Sequence, residues 1–495
     1  MAWYKNIFKR KIKNSIKFRS FAGAQGGRLF ADWKTSNATA DQEIFNSLST
    51  LRNRSRALAR NDSYIYRYLN MLVSNVIGPN GIRVASKARN DNGELDLQGN
   101  KEVEAAFSEW GQVGSCTLNG IQSFLDCQKL FIESVARDGE ALIRTVRSNS
   151  NRFGFAIQFL EADHLDENLS TKNQESGNSI KMGVEVDSFG KPEAYYLLKD
   201  HPGNSPYYSD YADPSRYVKV PANELIHGYL PNRAEQTRGV PWTSAVLGRA
   251  KMLDGLEESA VVNARVGASK MGFIVSPDGE QYVGEDTEDT YTQIMDATPG
   301  SMEQLPSGSE FRKWDPEYPN MMFDPFQKAI LRGIASGLNV SYVDLANNLE
   351  GVNYSSIRQG VMEQRDYYRT IQKFVIQHMV RPIYLKWLEY AMTTKQVSIP
   401  ITKYDKFANQ VIFIPRSWSW IDPQKEMNAN VVGLQNGQIT MSDIQSSMGR
   451  DPEELFEELS REKALADQYG VETAFSPYGA TKTPVEPDLT GGDNE

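Results

Sequence analysis

Apolar positions recur at helical spacing through the first third of the chain. Leu48, Leu51, Ser55 and Leu58 lie on one side of a predicted helix over 48–60, with Arg52, Arg56 and Arg60 on another. Asn61-Asp-Ser63 interrupts this run and caps a second helix, Tyr64 to Val76, which Gly78-Pro-Asn-Gly81 ends in a tight turn. Residues 87–100 read as a polar loop. Helices are expected over Lys101–Trp110 and Ile121–Ala136.

From Gly139 the period shortens. Ala141–Val146, Phe153–Leu160, Ile180–Val186, Ala194–Leu198 and Glu224–Tyr229 read as strands, with Gly190-Lys-Pro as a turn. Residues 168–179 and 200–215 read as surface loops. Pro241 then opens an unbroken helical run to about Ala268, a rod of roughly 42 Å. Small and apolar residues (Val246, Ala250, Leu253, Leu256, Ala260 and Ala264) line one of its faces, which predicts close packing against neighbouring helices. A Gly-, Pro- and acid-rich insertion follows. Asp324-Pro325 starts a helix to about Gly337, residues 338–351 break it, and Tyr354 begins another long helix toward Met379 that Pro382–Met392 continues. Val411–Pro415 reads as a strand, and shorter helices lead to a Pro-, Gly- and acid-rich tail from Ser476. The fold class expected is α+β.

Composition narrows the function. At 495 residues the chain predicts two to four domains, and 40% hydrophobic residues suffice for real cores. No stretch has the ~18 uninterrupted apolar residues of a membrane span, so no membrane partner is expected. The first residues lack an apolar segment followed by a small-residue cleavage site, which argues against a secretory precursor. Cys116 and Cys127 match no zinc or redox spacing and read as core residues. Residues 1–30 carry eight cations and no acid; removing them from the net charge of −9 leaves −17 on the other 465 residues. A uniformly basic nucleic-acid binder is excluded. The arm reads either as a solvated tail or as a contact for polyphosphate or an acidic surface.

Chemistry is absent from the pattern. Gly479-Ala-Thr-Lys-Thr483 is only a near miss to a phosphate-binding loop, since no strand precedes it. His164, His201, His227 and His378 form no metal-binding pattern. Glu161 beside Asp163-His164, and Asp138-Gly-Glu140, read as polar strand ends. No catalytic residue, metal or cofactor is expected, and the chain reads as a non-enzyme.

Several ordered strings go beyond periodicity. Leu51-Arg-Asn-Arg-Ser-Arg-Ala-Leu-Ala-Arg-Asn-Asp-Ser-Tyr64, Asn75–Ile82, Arg137-Asp-Gly-Glu-Ala141, Gln158–Leu165 and Gly183–Asp187 come first. Ile226-His227, Gln236-Thr-Arg-Gly-Val-Pro-Trp242, Asn353–Arg358 and Trp418–Lys425 follow. Together the series resembles the lambda-type portal proteins of tailed bacteriophages across roughly 45–470, leaving the basic arm and the tail outside.

That resemblance implies a portal-type multidomain fold: a basic arm (1–44), an α+β wing (45–240), a stem helix (241–270), a β-containing clip (271–323) and a second stem helix (324–337). A tunnel loop (338–354), a long helix returning to the wing (355–415), crown helices (416–475) and an acidic tail (476–495) complete it. It also implies a homo-oligomeric ring, commonly of twelve subunits, at one capsid vertex of the virion, assembled in the host cytoplasm. Double-stranded DNA would pass through its channel during packaging and ejection without sequence specificity. Partners would be the large terminase subunit, which hydrolyses the ATP, then head-completion or adaptor proteins, with the major capsid and scaffolding proteins around the ring. Another head–tail connector or a gene-transfer agent component is the alternative. On this frame Ala250, Leu253, Leu256, Ala260 and Ala264 contact neighbouring subunits. Val340, Tyr342, Val343, Asp344, Leu345, Asn347, Asn348 and Glu350 line the channel, and Glu285, Asp286 and Glu288 belong to the clip's docking surface. An acidic lumen would repel the duplex from its walls.

Overall fold

The computed structural model describes residues 37–149, 151–204, 216–268, 272–275, 310–313, 322–351, 354–418 and 423–470. The arm over 1–36, the tail and most of the clip, including Glu285, Asp286 and Glu288, lie outside the described residues.

Helices α1 (Ala40–Phe45), α2 (Leu48–Asn61) and α3 (Ser63–Leu72) open the fold, and a wider turn, Val73–Ile77, extends α3. Asp62 separates α2 from α3 because its carboxylate accepts from the Tyr64 and Ile65 amides. Strand β1 (Arg83–Ser86) follows, then α4 (Leu97–Trp110) and α5 (Phe124–Asp138). Helix α4 starts earlier than its apolar pattern predicts, since Asp96 caps it through the Gly99 amide.

Strands β2 (Ala141–Arg147) and β3 (Phe155–Leu160) are joined by β4 (Thr171–Lys172), β5 (Ser179–Lys181) and β6 (Val184–Val186). Then come β7 (Pro192–Leu198), β8 (Tyr217–Pro221) and β9 (Leu225–Gly228). Two antiparallel sheets result, ordered β3-β2-β9 and β4-β5-β6-β7-β8. The single strand expected over Ile180–Val186 is a hairpin: Met182 and Gly183 both take positive φ, 47° and 86°, the geometry of a two-residue turn. Alternation of side chains does not distinguish that turn from a continuous strand.

Helix α6 (Leu247–Ala268) is the long rod. It begins six residues after Pro241, which instead leads a series of turns, so its 22 residues span about 33 Å. Strands β10 (Gly272–Val275) and β11 (Glu310–Lys313) pair antiparallel at the base of the insertion. Helices α7 (Phe323–Gly337), the short α8 (Tyr342–Ala346), α9 (Tyr354–Val375) and α10 (Arg381–Thr393) follow; a wide turn, Ile376–Val380, makes the last two continuous. After α11 (Tyr404–Asn409), strand β12 (Val411–Ile414) returns to pair with β1. Helices α12 (Pro423–Gln435), α13 (Met441–Ser447) and α14 (Pro452–Tyr469) end the described chain.

One core gathers α2–α11 and the β3-β2-β9 sheet. Its centre is aromatic. Phe107 meets the rings of Phe124, Tyr384 and Trp387 edge-on at 4.9–5.6 Å, and buried Trp110 donates its indole N–H to the Phe155 carbonyl at 2.9 Å. Cys116 and Cys127 are fully buried as free thiols in this core. A contact with Cys116, together with burial, raises the Cys127 thiol far above its ordinary range, so it stays protonated.

Gly139 closes α5 at φ +94°, and a side chain there would lie 2.6 Å from the Val240 backbone. The chain leaving α5 therefore lies directly against the chain approaching α6. Gly139→Ala combines a left-handed backbone with a clash that cannot relax by rotamer change. We expect it to cost at least about 2 kcal/mol in chemical denaturation, and unchanged stability would count against this close approach.

Candidate functional site

Glu140 follows α5 and has none of its side chain exposed. An isolated carboxylate so buried would take up a proton, because desolvation penalises its charge. Here every oxygen is matched. Arg52 of α2 donates to Oε1 at 2.8 Å. Arg238, itself fully buried, donates its Nε at 2.9 Å to Oε1 and makes a shorter contact through Nη2. The Gly239 amide donates to Oε2 at 3.0 Å, and His227 Nε2 of β9 lies 2.9 Å from the same atom. Burial pushes the Glu140 carboxyl up, yet the Arg238 charge and His227 outweigh it and hold the carboxyl well below its ordinary range.

Arg238 spends its remaining donors on carbonyls of Leu165 at 3.0 Å, Met182 at 2.8 Å and Ala162 at 3.3 Å. A second layer surrounds this pair. Arg56 bridges Asp138 Oδ1 at 2.8 Å and Asp163 Oδ2 at 2.5 Å, and Arg137 meets Asp138 at 2.9 Å. Burial raises the Asp163 carboxyl, but Arg56 and Arg52 bring it net below its usual range. Ser55 and Thr243 share a buried hydrogen bond of 2.7 Å, and Asp41 accepts from both the amide and the hydroxyl of Thr237 at 2.8 Å. The network therefore clamps α1, α2, α5, β9 and the turns before α6 to one another. It thereby fixes the segment over 237–243 that leads toward α6.

The strings that carry the family resemblance converge here: Arg52 and Arg56, Arg137–Glu140, Ala162–Leu165, His227 and Gln236–Gly239. Read singly, Glu161, Asp163 and Asp138-Gly-Glu140 pass for solvated strand ends. Glu140 just before the wholly buried start of β2 is the one signal that pointed inward. His164 and His201, far apart in sequence, have ring centroids 5.7 Å apart. Among the described residues Glu161, Asp163 and His201 bring potential ligand atoms together, but Asp163 is already met by Arg56, and His201 Nε2 lies 3.0 Å from Glu161.

The residues expected at subunit contacts divide in two. Ala250 and Leu253 are 1% exposed and belong to the chain's own core, because α2 and α7 cover the first half of α6. They are not free for a neighbour. Leu256, Ala260 and Ala264 are half-buried, while Met252, Val261 and Val262 are exposed. Glu257 joins the rods, accepting from Tyr64 of α3 at 3.1 Å and Gln327 of α7 at 2.6 Å.

The segment over 338–354 is likewise divided. Leu338, Val340 and Leu345 are buried in the core, and Tyr342, Val343, Asp344 and Leu345 sit in α8, not in a loop. Arg67 of α3 donates to the Asp344 carbonyl at 2.5 Å, and the Arg332 guanidinium lies over the Tyr342 ring at 5.3 Å. Burial raises the Asp344 carboxyl, so it is not one of the open charges expected here. What projects is the short stretch after α8. Asn347 turns the chain at φ 52°, Asn348 bonds back to Tyr342, Leu349 is 69% exposed, and Glu350 reaches Lys328 at 3.2 Å. Buried apolar anchors on α8, invisible to helix periodicity over five residues, account for the difference.

Removing Glu140 would strand two buried arginines. Glu140→Ala should cost about 3–5 kcal/mol, measured by thermal or urea unfolding. Glu140 and Asp163 titrate below their unfolded values near about 4, so their stabilisation is complete above that range and is lost as pH falls from there through their lower folded values. Glu140→Gln should flatten the acid limb of a stability-versus-pH curve; an unchanged limb would show that this carboxylate is not what acid disrupts.

Comparison with known proteins gives a consistent result. The family described as "Phage portal protein, lambda family" matches residues 26–372, starting within the segment assigned to the basic arm. A probable portal protein of Halomonas phage phiHAP-1 is 34% identical over 483 residues, covering 95% of this chain and 91% of that protein. Portal protein B of Escherichia phage lambda is 23% identical and covers 90% of each. Among solved structures, a chain from the virion of a native gene transfer agent particle is 11% identical, with a TM-score of 0.42 over 82% of this chain and 94% of that one. From the matched family and the extent of the Halomonas phage relative, this chain belongs to the lambda family of phage portal proteins.

Proposed function

We propose that copies of this chain assemble into a ring at one vertex of a phage head and that double-stranded DNA passes along its axis. The observation that carries the reading is the outer half of α6. Past the half that α2 and α7 cover, α6 leaves Val261 exposed and Ala260 and Ala264 half-buried within an arc of about 100°, continuing the stripe that Ala250 and Leu253 bury. An apolar helix face that its own chain does not cover is completed by a copy of the same helix in a closed ring. The role is mechanical, with ATP hydrolysis in a separate terminase.

In this reading α6 and α7 form the stem and residues 271–323 the clip. The clip meets the large terminase during packaging and head-completion proteins afterwards. Assembly takes place in the host cytoplasm before the ring becomes part of the virion. The constriction is confined to 347–351, because α8 is pinned to α3 and α7.

Negative-stain images of the purified protein should show rings with a central hole; monomers across a range of salt would overturn the reading. Ala260→Trp should reduce ring yield, since overpacking costs about 1–3 kcal/mol at each repeated contact. Wild-type yield from this variant would move the contact elsewhere on α6.

The second test concerns retention. Deleting 347–350 spares the buried anchor Leu345 and should leave rings intact, yet packaged particles should lose DNA on standing. Normal retention of full-length genomes would show that this stretch is not the gate.

A further inference from the structure

Helix α9 begins three residues after Gly351, and its cations are not scattered. Arg358, Arg365 and Arg369 fall within a narrow arc of the helix at 100° per residue, with exposed Lys373 beside them. From Arg358 to Lys373 the stripe runs about 22 Å along the axis. The acids of this stretch, Glu363 and Asp366, turn away by roughly a quarter to a third of the circumference, although Asp366 still reaches Arg369 at 2.6 Å.

Arg416, just beyond β12, joins the stripe from elsewhere in the chain. The guanidinium groups of Arg365, Arg369 and Arg416 lie 5.8, 5.8 and 5.9 Å from the Trp418 ring centroid. Tyr368 stacks on that ring at 6.2 Å, and Asn75 accepts from the Trp418 indole at 3.1 Å and from Arg416 at 3.0 Å. Asn75 thus fixes the platform on which the arginines gather.

Three cations around one ring repel one another. Burial, reinforced by Arg369 and Arg416, lowers the Arg365 guanidinium from its ordinary range against the opposing charge of Glu426. Arg416 is met by the Ser74 carbonyl and the Asn75 amide, oxygens that carry no charge. Such a cluster is complementary to a row of anions, and each guanidinium fork can pair two N–H donors with two phosphate oxygens.

We propose that this arginine–tryptophan cluster, continued by Arg358 and Lys373, is a contact for the phosphodiester backbone of duplex DNA. The proposal rests on the channel reading of the segment before α9. It adds to the acidic lumen that net charge suggests: a basic band behind the constriction would hold the duplex between strokes, while acidic walls elsewhere keep it moving.

The test uses the full-length protein and a 30-base-pair duplex of mixed sequence, read by fluorescence anisotropy across a salt series. Ring formation is scored by electron microscopy in the same samples, so loss of rings in the unaltered protein counts against the portal assembly and is read separately from DNA affinity. The combined variant Arg365→Gln, Arg369→Gln, Arg416→Gln should form rings, bind at least about tenfold more weakly, and lose about 2–3 from the slope of log affinity against log salt, near 0.9 per contact. Replacing the same three by lysine should retain most of the slope, which guards against misfolding as the cause. Arg152→Gln, an exposed arginine paired with Glu109 on another face, should change nothing. Unchanged affinity and slope in the glutamine variant would overturn the proposal. So would loss of rings with DNA binding intact, which would make the stripe a contact between subunits.

Discussion

A carboxylate without any exposed surface is stable only if its partners are already in place, and Glu140 has them on both oxygens. Those partners come from α2, β9 and the segment before α6, which lie 87 to 99 residues from Glu140 along the chain. The arrangement is all or none. Any one element that withdraws leaves a buried charge unpaired, which costs far more than the pair contributes relative to an apolar substitute. Specific geometry rather than net stability is what such a network supplies. The segment leading to α6 is therefore fixed by electrostatics, and Glu257 ties the middle of α6 to α3 and α7.

This division of labour suits a ring component. The β3-β2-β9 and β4-β5-β6-β7-β8 sheets and the aromatic core around Trp110 and Trp387 are closed within one chain. The outer half of α6 and the stretch after α8 are not. The chain closes its own core and leaves these groups exposed, while Arg238 ties the segment before α6 to the carbonyls of Ala162, Leu165 and Met182.

Legibility in the sequence followed the range of the interactions. Helices α2, α3, α5, α9 and α10 were readable because a buried stripe at 3.6-residue spacing is recorded in adjacent residues. Strand β1 was not, because Arg83-Val-Ala-Ser86 holds one strong strand former, whereas its partner β12, more than 300 residues away, is a run of Val, Ile and Phe. The hairpin at Met182-Gly183 was hidden for a related reason: apolar residues on both sides of the turn look like one strand.

The order of its motifs was enough to place this chain in its family, and its periodicity was enough to give the α+β class and the long rods. Neither could tell that Ala250 and Leu253 face the chain's own core while Ala260 remains half-open, since one helical stripe reads alike whichever molecule covers it. Nor could charge counting distinguish Asp344, drawn into the fold, from Glu350, held out beside Lys328. The sequence determined which surfaces are apolar or charged, because that is a property of the residues themselves. Only the tertiary structure decided which of them meet inside one chain, because burial depends on neighbours that the chain brings from far away.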